Sequence, residues 1–454
     1  MNRKQFQLAE GTREPGIVYV PYTVSETNAL RYISFGTCVV PCEIKTDYLS
    51  DSTITIGREV LQELRLPFLS DIHVFLHDDT IIIGPLIGIF TAGFTESQLR
   101  PIGERSLFFA NLLTSKTAQK AYLFVFGSHN INWQEGIITG YFYNQERWVQ
   151  YDIPFPNVVY DRLPNRKTEN HRAIARVKNR LQQEYLIPWF NPGFFNKWDI
   201  YTLLKNDKEV ASYLPETRLF SGFEEVELLL SKYRHVYIKP MNGSLGNGIY
   251  QVRYSFEHNE YYCRYRDEEG NKLRKYHSLE FLMNHLLADV DLHTFIVQQG
   301  IPLLRVNGNP VDFRIHTNKN RSGEWIVSAI AAKIAGQGSM TTHINNGGEV
   351  KTLEEIFPDD KERQTIKERL TTVTLLLSKQ IDATVTGYIG EIGFDVGVDK
   401  NGHVWLFEAN SKPGRSIFDY PKLREGDLIT KELFLDYALH LTEKALFTPE
   451  ELFQ

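Results

Sequence analysis

Cysteine is scarce: Cys38, Cys42 and Cys263 are the only three in 454 residues. Three thiols cannot build a dense disulfide framework. Cys38 and Cys42 share a C-x3-C spacing, but no His/Cys pair nearby completes a zinc site. They read as reduced thiols of a chain made in the cytoplasm. Positive charge is not in excess either. Fifty Lys and Arg stand against 56 Asp and Glu, a formal net charge of −6. That argues against a general polyanion binder but leaves room for a local basic pocket. Long apolar runs are missing. The most apolar stretch, Ile81 to Phe94, is broken by Gly84, Pro85, Gly88 and Gly93 and falls short of the roughly 20 residues of a membrane helix. Met1 to Gly11 is polar and carries no secretory apolar core. The sequence has no internal repeat, no Gly-x-Ser-x-Gly and no His-Glu-x-x-His. Aromatic residues are plentiful, at 13%, which favours a filled core over disorder.

Residues 1 to about 95 read as β-rich. Ile17–Val20, Thr53–Ile56, His73–Leu76 and Thr80–Ile83 are short β-branched runs bounded by Gly, Pro and Asp. His77-Asp78-Asp79 predicts a hairpin turn, and Arg58–Leu64 a short helix that stops before Pro67. From about 96 helix and strand alternate. Ser106–Lys120 has a helical period, Ala121–Phe126 is a buried strand, and Gly140–Tyr151 and Asn157–Asp161 are further strands. This is α/β order. A charged helix, Arg166–Leu181, leads to a Pro/aromatic segment, and a boundary falls near 195. Residues 196–454 carry nearly all the recognisable chemistry. Helices are predicted over 196–207, 224–233, 278–289 and 358–381, with a strand at His235–Lys239.

That strand runs into Lys239-Pro-Met-Asn-Gly243-Ser244-Leu-Gly246-Asn-Gly248. Gly243, Gly246 and Gly248 let main-chain N–H groups approach a phosphate closely; a flexible hairpin tip carries the same glycines. The lysine sharpens the pattern, because it precedes the loop on a strand, unlike a P-loop lysine. On an alternating strand Lys239 shares a face with Tyr237, opposite Val236 and Ile238. It is either an ammonium beside the loop or a solvated edge lysine.

The second constellation runs from Glu391 to Asn410. Asn401-Gly402 is a strong two-residue hairpin signal. With those as the turn, Lys400 pairs with His403 and Asp395 lies opposite Glu408, with Asn410 on the same face. Phe394, Val396, Val398, Trp405 and Phe407 form the other, core face. Opposed carboxylates repel, so the pair calls for a counter-charge. A hard divalent cation supplies one, with the Asn410 carbonyl as an acceptable third ligand; a solvated acidic face is the alternative. In a third segment Asp312, Arg314 and His316 alternate with Val311, Phe313 and Ile315. Arg314 suits a triphosphate through paired hydrogen bonds, or an ion pair with Asp312.

In their joint order these motifs resemble the ATP-grasp superfamily. Phe407-Glu-Ala-Asn-Ser-Lys-Pro-Gly414 is similar to the ending of ribosomal-protein glutamate ligases and glutathione synthetases. Val311-Asp-Phe-Arg-Ile315 resembles their Asp-Ile-Arg strand, and Thr342–Gly348 the Asn-containing Gly-Gly segment after it. This likeness covers about 196–425. At whole-chain scale Ile82–Phe90 and Asn191–Ser244 look like the YheC/YheD family of endospore coat-associated ATP-grasp proteins.

The resemblance implies an α/β (α+β) ATP-grasp domain over 196–454, an α/β pre-grasp domain over 96–195 and a β-rich N-terminal domain over 1–95. It implies ATP and Mg²⁺. Lys239 would contact the α- and β-phosphates, and the loop through Gly243, Ser244, Gly246 and Gly248 would close over the triphosphate. The hinge strand Phe295–Gly300 would read the adenine edge near Gln298, Gln299 and Ile301. Arg314 would meet the γ-phosphate or an acyl-phosphate, and Asp395, Glu408 and Asn410 would hold the metal. An upstream lysine is expected at Lys205 or, less favoured, Lys197. Lys333 would line the same cleft, and Lys412 and Arg415 would meet an anionic substrate. The implied reaction joins a small-molecule or peptide carboxylate to an amine or thiol acceptor through an acyl-phosphate. A phosphotransferase on the same scaffold and a coat assembly protein that binds nucleotide without turnover are the alternatives. Spore coat proteins are implied partners; nucleic acid and membrane are not.

Overall fold

The computed structural model describes residues 5–11, 16–25, 30–115, 120–243, 248–268, 270–288, 290–336, 339, 342 and 347–452. Four sheets organise the chain. The first is a mixed, eight-stranded sheet over residues 5–84. The expected hairpin joins Asp71–His77 to Thr80–Gly84, with His77 paired to Thr80. The apolar stretch after it changes sheet. Leu86–Phe90 is a central strand of the second sheet, parallel to Tyr122–Phe126 and Val158–Asp161. Leu86–Phe90 and Tyr122–Phe126 are buried at every position, as parallel strands covered on both faces must be. One apolar core runs from Phe6 to Trp189 and fills the space of both sheets.

Three segments differ from the sequence expectation. Gly140–Tyr151 is not one strand but parts of a hairpin, Ile137–Asn144 with Arg147–Pro154. Gln145 and Glu146 turn it with φ of 48° and 60°, the mirror-image geometry that fits strand twist. The helix expected over 166–181 is two, Arg166–Glu169 and Arg172–Gln183. His171 is extended and its Nδ1 accepts from Ala173 N, which restarts the helix. The helix begun at Ser106 runs to Leu113. Residues 116–119 lie outside the described set.

The third and fourth sheets face each other. The third is antiparallel, in the order Thr217–Leu219, Phe295–Gln299, His235–Pro240, Tyr250–Ser255, Glu260–Asp267, Gly270–Tyr276. Helices Phe223–Tyr233 and Leu279–Leu287 cover one face, where Val236, Ile238 and Val252 are fully buried. The fourth places Trp325–Ile334, Asn309–Lys319, Glu391–Val398 and Val404–Asn410 side by side. The 25-residue helix Asp360–Thr384 packs behind it through Leu370, Leu377 and Ile381. The C-terminal helix Arg424–Phe447 joins the second and fourth sheets through Phe434, Tyr437 and Ala438. Among the described residues no helix is long and apolar enough to cross a membrane.

Candidate functional site

Alternation on the third sheet sends Val236 and Ile238 to its helices and Tyr237 and Lys239 to the opposite side. That side and the fourth sheet bound a cleft of about 2020 Å³. Lys239 is 8% exposed and donates to Gln298 Oε1 at 2.7 Å. Gln298 in turn donates to Thr217 Oγ1 at 2.9 Å. Burial, reinforced by the nearby Lys197 charge, lowers the Lys239 ammonium to about 8 although Glu408 and Asp395 pull it up. An ammonium so placed is a strong partner for an incoming anion.

The carboxylate hairpin is present, and Asp395 faces Glu408. The counting that leads there is different. The turn is five residues, not two: Val398 pairs with Val404, and Asp399–His403 close the loop. Asp399 organises it, its Oδ1 accepting from Asn401 N at 2.8 Å and His403 N at 3.1 Å. A bulge next to Asp395 then restores the register. The face assignment of the second strand changes with it. Val404 and Leu406 enter the core, while Phe407 lines the cleft and Trp405 Nε1 donates to Asp399.

Counter-charge in this cleft comes from the protein's own cations. Arg314 Nη2 lies 3.0 Å from Asp395 Oδ2. Lys333 Nζ bridges Asp395 at 2.7 Å and Asp312 at 3.0 Å. Lys197 Nζ reaches Glu408 at 3.1 Å and donates to the Gly243 carbonyl at 2.7 Å. Burial pushes the Asp395 carboxyl up, but Arg314 and Lys333 more than offset it and hold it below the usual range. Asp312, buried and beside Asp395, is raised despite Lys333. Arg314 Nη1 is buried and has no hydrogen-bond partner among the described residues. His316 continues the strand but is fully buried against Phe418, and burial keeps it neutral.

Other expected residues fall as follows. Gln298, Gln299, Ile301, Gly243, Glu408 and Asn410 line the cleft. The hinge main chain is largely committed: Gln299 N donates to Glu216 and Gly300 N to His235, both at 2.8 Å. Gln299 Oε1 accepts from Glu216 N. Main chain from Ile301 onward is thus the better placed to meet a ligand. Gly248 has φ +67°, where a side chain is strained. Ser244 and Gly246 lie outside the described residues, as do 343–346 of the Thr342–Gly348 segment. Lys205 is exposed over Trp198 and is not a cleft residue; Lys197, the less favoured expectation, is. Position along the helix decides this, since Lys197 is its first residue, capped by Asn196 and aimed at the loop. Lys412 is consumed by Asp161 at 2.7 Å and Glu169 at 3.0 Å, its side chain 2% exposed. Arg415 is bound to Asp427 at 2.7 Å. Neither is left for a substrate as expected.

The sequence reading missed Asn191 and Arg162. Asn191 is fully buried. Its side chain donates to the carbonyls of Glu391, at 2.9 Å, and Ser411, and accepts from Gly390 N at 2.9 Å. It therefore ties together both strands of the carboxylate hairpin at their base. Arg162 does the same one layer away, pairing with Glu391 Oε1 at 3.0 Å and donating to the Pro413 carbonyl. The one signal for Asn191 was an Asn before Pro, a turn dipeptide.

Two sheets closing on a cleft, with a strand lysine and Gly243 on one wall and an Asp/Glu/Asn hairpin on the other, define an ATP-grasp fold. The YheC/D-like ATP-grasp family matches residues 186–441. The chain is 43% identical to endospore coat-associated protein YheD of Bacillus subtilis strain 168, over 100% of this chain and 99% of that one. It is 22% identical to endospore coat-associated protein YheC of the same organism, over 59% of this chain and 73% of that one. D-alanine–D-alanine ligase from Bacillus anthracis superposes with a TM-score of 0.45 at 11% identity, covering 79% of this chain and 99% of the ligase. The chain belongs to the YheC/D-like ATP-grasp family.

Proposed function

We propose that this protein is an ATP- and Mg²⁺-dependent ligase that activates a carboxylate as an acyl-phosphate and transfers it to an amine or thiol. The observation that carries this reading is the opposition of Asp395 and Glu408 within one cleft that also holds Lys239, Arg314 and Lys333. The donor set fits a hard cation: two carboxylates and an amide oxygen from one hairpin, with Asp395 kept ionised by its neighbours. Asp395, Glu408 and Asn410 would hold Mg²⁺, which supplies charge neutralisation at a transferring phosphoryl group.

The remaining roles belong to side chains. Lys239 binds the α- and β-phosphates. Gly243 and the rest of the loop, Ser244, Gly246 and Gly248, cover the triphosphate, with Lys197 in place of Lys205 as the upstream lysine. Gln298, Gln299 and Ile301 border the adenine. Arg314, with its unpartnered Nη1, orients the γ-phosphate and then the acyl-phosphate, which is electrostatic work rather than covalent catalysis. Residues 1–95, 96–195 and 196–454 are read as three working parts. The coat association in the names of both relatives supports a site of action at the endospore coat, with coat proteins as partners. The test is hydroxylamine trapping: Mg-ATP, a panel of carboxylates and hydroxylamine should yield ADP and a hydroxamate, and Arg314→Ala should yield neither. A phosphorylated product without hydroxamate would favour phosphotransfer instead.

A further inference from the structure

In a chain of net charge −6, residues 162–180 hold seven Lys and Arg and a single acid, Glu169. Four of the seven have partners within the fold. Arg162 pairs with Glu391, Lys178 with Asp161 and Glu169, and Arg180 with Glu184. Arg166 Nη1 donates to the Asn242 carbonyl at 3.2 Å, and Nη2 donates to the Phe195 carbonyl. The other three, Lys167, Arg172 and Arg176, are exposed. Among the described residues no carboxylate lies within ion-pair distance of them.

Their placement does nothing for the helix that carries two of them. Arg172 stands in the first turn of Arg172–Gln183, which contains no acid, and a cation there opposes the helix dipole. Arg176 follows four residues on, so two like charges share one edge of the helix and repel. Ile174, Val177 and Leu181 fix the opposite face in the core. Ala173 and Ala175, beside the arginines, are exposed and leave them uncovered. Nor is the patch remote from the site. Arg166 and Lys167 line the mouth of the cleft, and Arg166 holds the main chain next to Gly243.

We propose that Lys167, Arg172 and Arg176 dock an acidic polypeptide segment of the co-substrate, whose reacting group then enters the cleft beside them. The spacing fits. Four residues of helix set Arg172 and Arg176 roughly 6 Å apart. Alternate side chains of an extended chain stand about 6.6 Å apart. Acids at every second position would meet both guanidiniums in turn, through charge-assisted paired hydrogen bonds. Three free cations suit a short acidic segment, whereas a nucleic acid engages a longer basic track. Delivery into the cleft rests on the ligase reading above; the docking itself does not.

The test is fluorescence anisotropy with the full chain and a labelled (Glu-Ser)4 peptide. (Gln-Ser)4 and a short single-stranded DNA are the comparison probes. (Glu-Ser)4 should bind more tightly than either, with an affinity that falls as salt rises. Arg172→Glu/Arg176→Glu should weaken it about tenfold or more. Lys361→Glu/Lys367→Glu makes the same change of charge at exposed positions of the Asp360–Thr384 helix and should leave binding within about twofold. Should the first variant not fold, Arg172→Gln/Arg176→Gln removes the same contacts without reversing charge. The melting shift given by Mg-ATP should be the same in all variants that fold. No binding of (Glu-Ser)4, equal loss in both charge-reversed variants, or tighter binding of the DNA overturns the proposal. A chain that holds (Glu-Ser)4 through Arg172 and Arg176 yet never binds Mg-ATP keeps the docking surface and loses the ligase reading.

Discussion

Lys239 is a cation held where water is scarce. Its folded pKa, about 8, lies below the ordinary lysine value of 10.5. Between those two values the unfolded chain binds more protons, so this group makes stability rise with pH across that window. Below pH 8 the full penalty is present. Lys239→Met should therefore unfold at a higher temperature than the wild type at pH 7, and the gap should narrow steadily towards pH 10. The same variant should lose nucleotide affinity roughly ten- to a hundredfold, the worth of a hydrogen bond to a charged group. In the wild type, nucleotide affinity should decline as pH climbs above 8 and the ammonium is lost. Melting curves and titrations over pH 7–10 check both signs. A Lys239→Met protein that is less stable at pH 7 would contradict the account.

At the scale of one element, the hairpin shows what a sequence reveals and what it hides. The Asp395–Glu408 pairing was reached by counting outward from Asn401-Gly402, and it stands because two register shifts cancel there. The turn size was not legible. Asp399 widens the loop with its own side chain, and the bulge between Asp395 and Val396 compensates after three shifted pairs. Two one-residue shifts cancel at Asp395 but not between them, so Leu406 and Phe407 exchange faces. The consequence is measurable. Leu406→Ala should cost about 2–5 kcal/mol of stability, as a buried leucine does. Phe407→Ala should cost little stability and instead weaken nucleotide binding. Denaturant melts and titrations separate the two; the opposite pattern would restore the two-residue turn.

At the scale of the molecule, the contacts that frame the site are between residues far apart in the chain. Asn191 reaches Gly390, Glu391 and Ser411, and Lys412 reaches Asp161 and Glu169. Such pairs leave no periodic trace, which is why Lys412 read as a substrate contact and Asn191 was not singled out. Local order was readable in part: the strand carrying Lys239 and the Asp-x-Arg strand follow from alternation. The docking of residues 158–191 onto the hairpin was not. Arg162→Ala leaves Glu391 buried without its cation, which should cost about 3–5 kcal/mol. Arg162→Met/Glu391→Met should recover much of that loss. A double variant no better than Arg162→Ala would show that the pair is not the tie between these regions.

The central claim is a magnesium-nucleotide site built on Asp395 and Glu408, and thermal unfolding tests it most directly. With Mg-ATP at about 100 times its dissociation constant, the wild type should gain about 2.7 kcal/mol, read as an upward shift of the melting temperature. ATP with chelator should give less, and Glu408→Gln should abolish the metal-dependent part while melting normally without ligand. A wild type whose melting temperature stays fixed across a wide range of Mg-ATP would contradict the account and leave a protein that has kept the fold without the nucleotide.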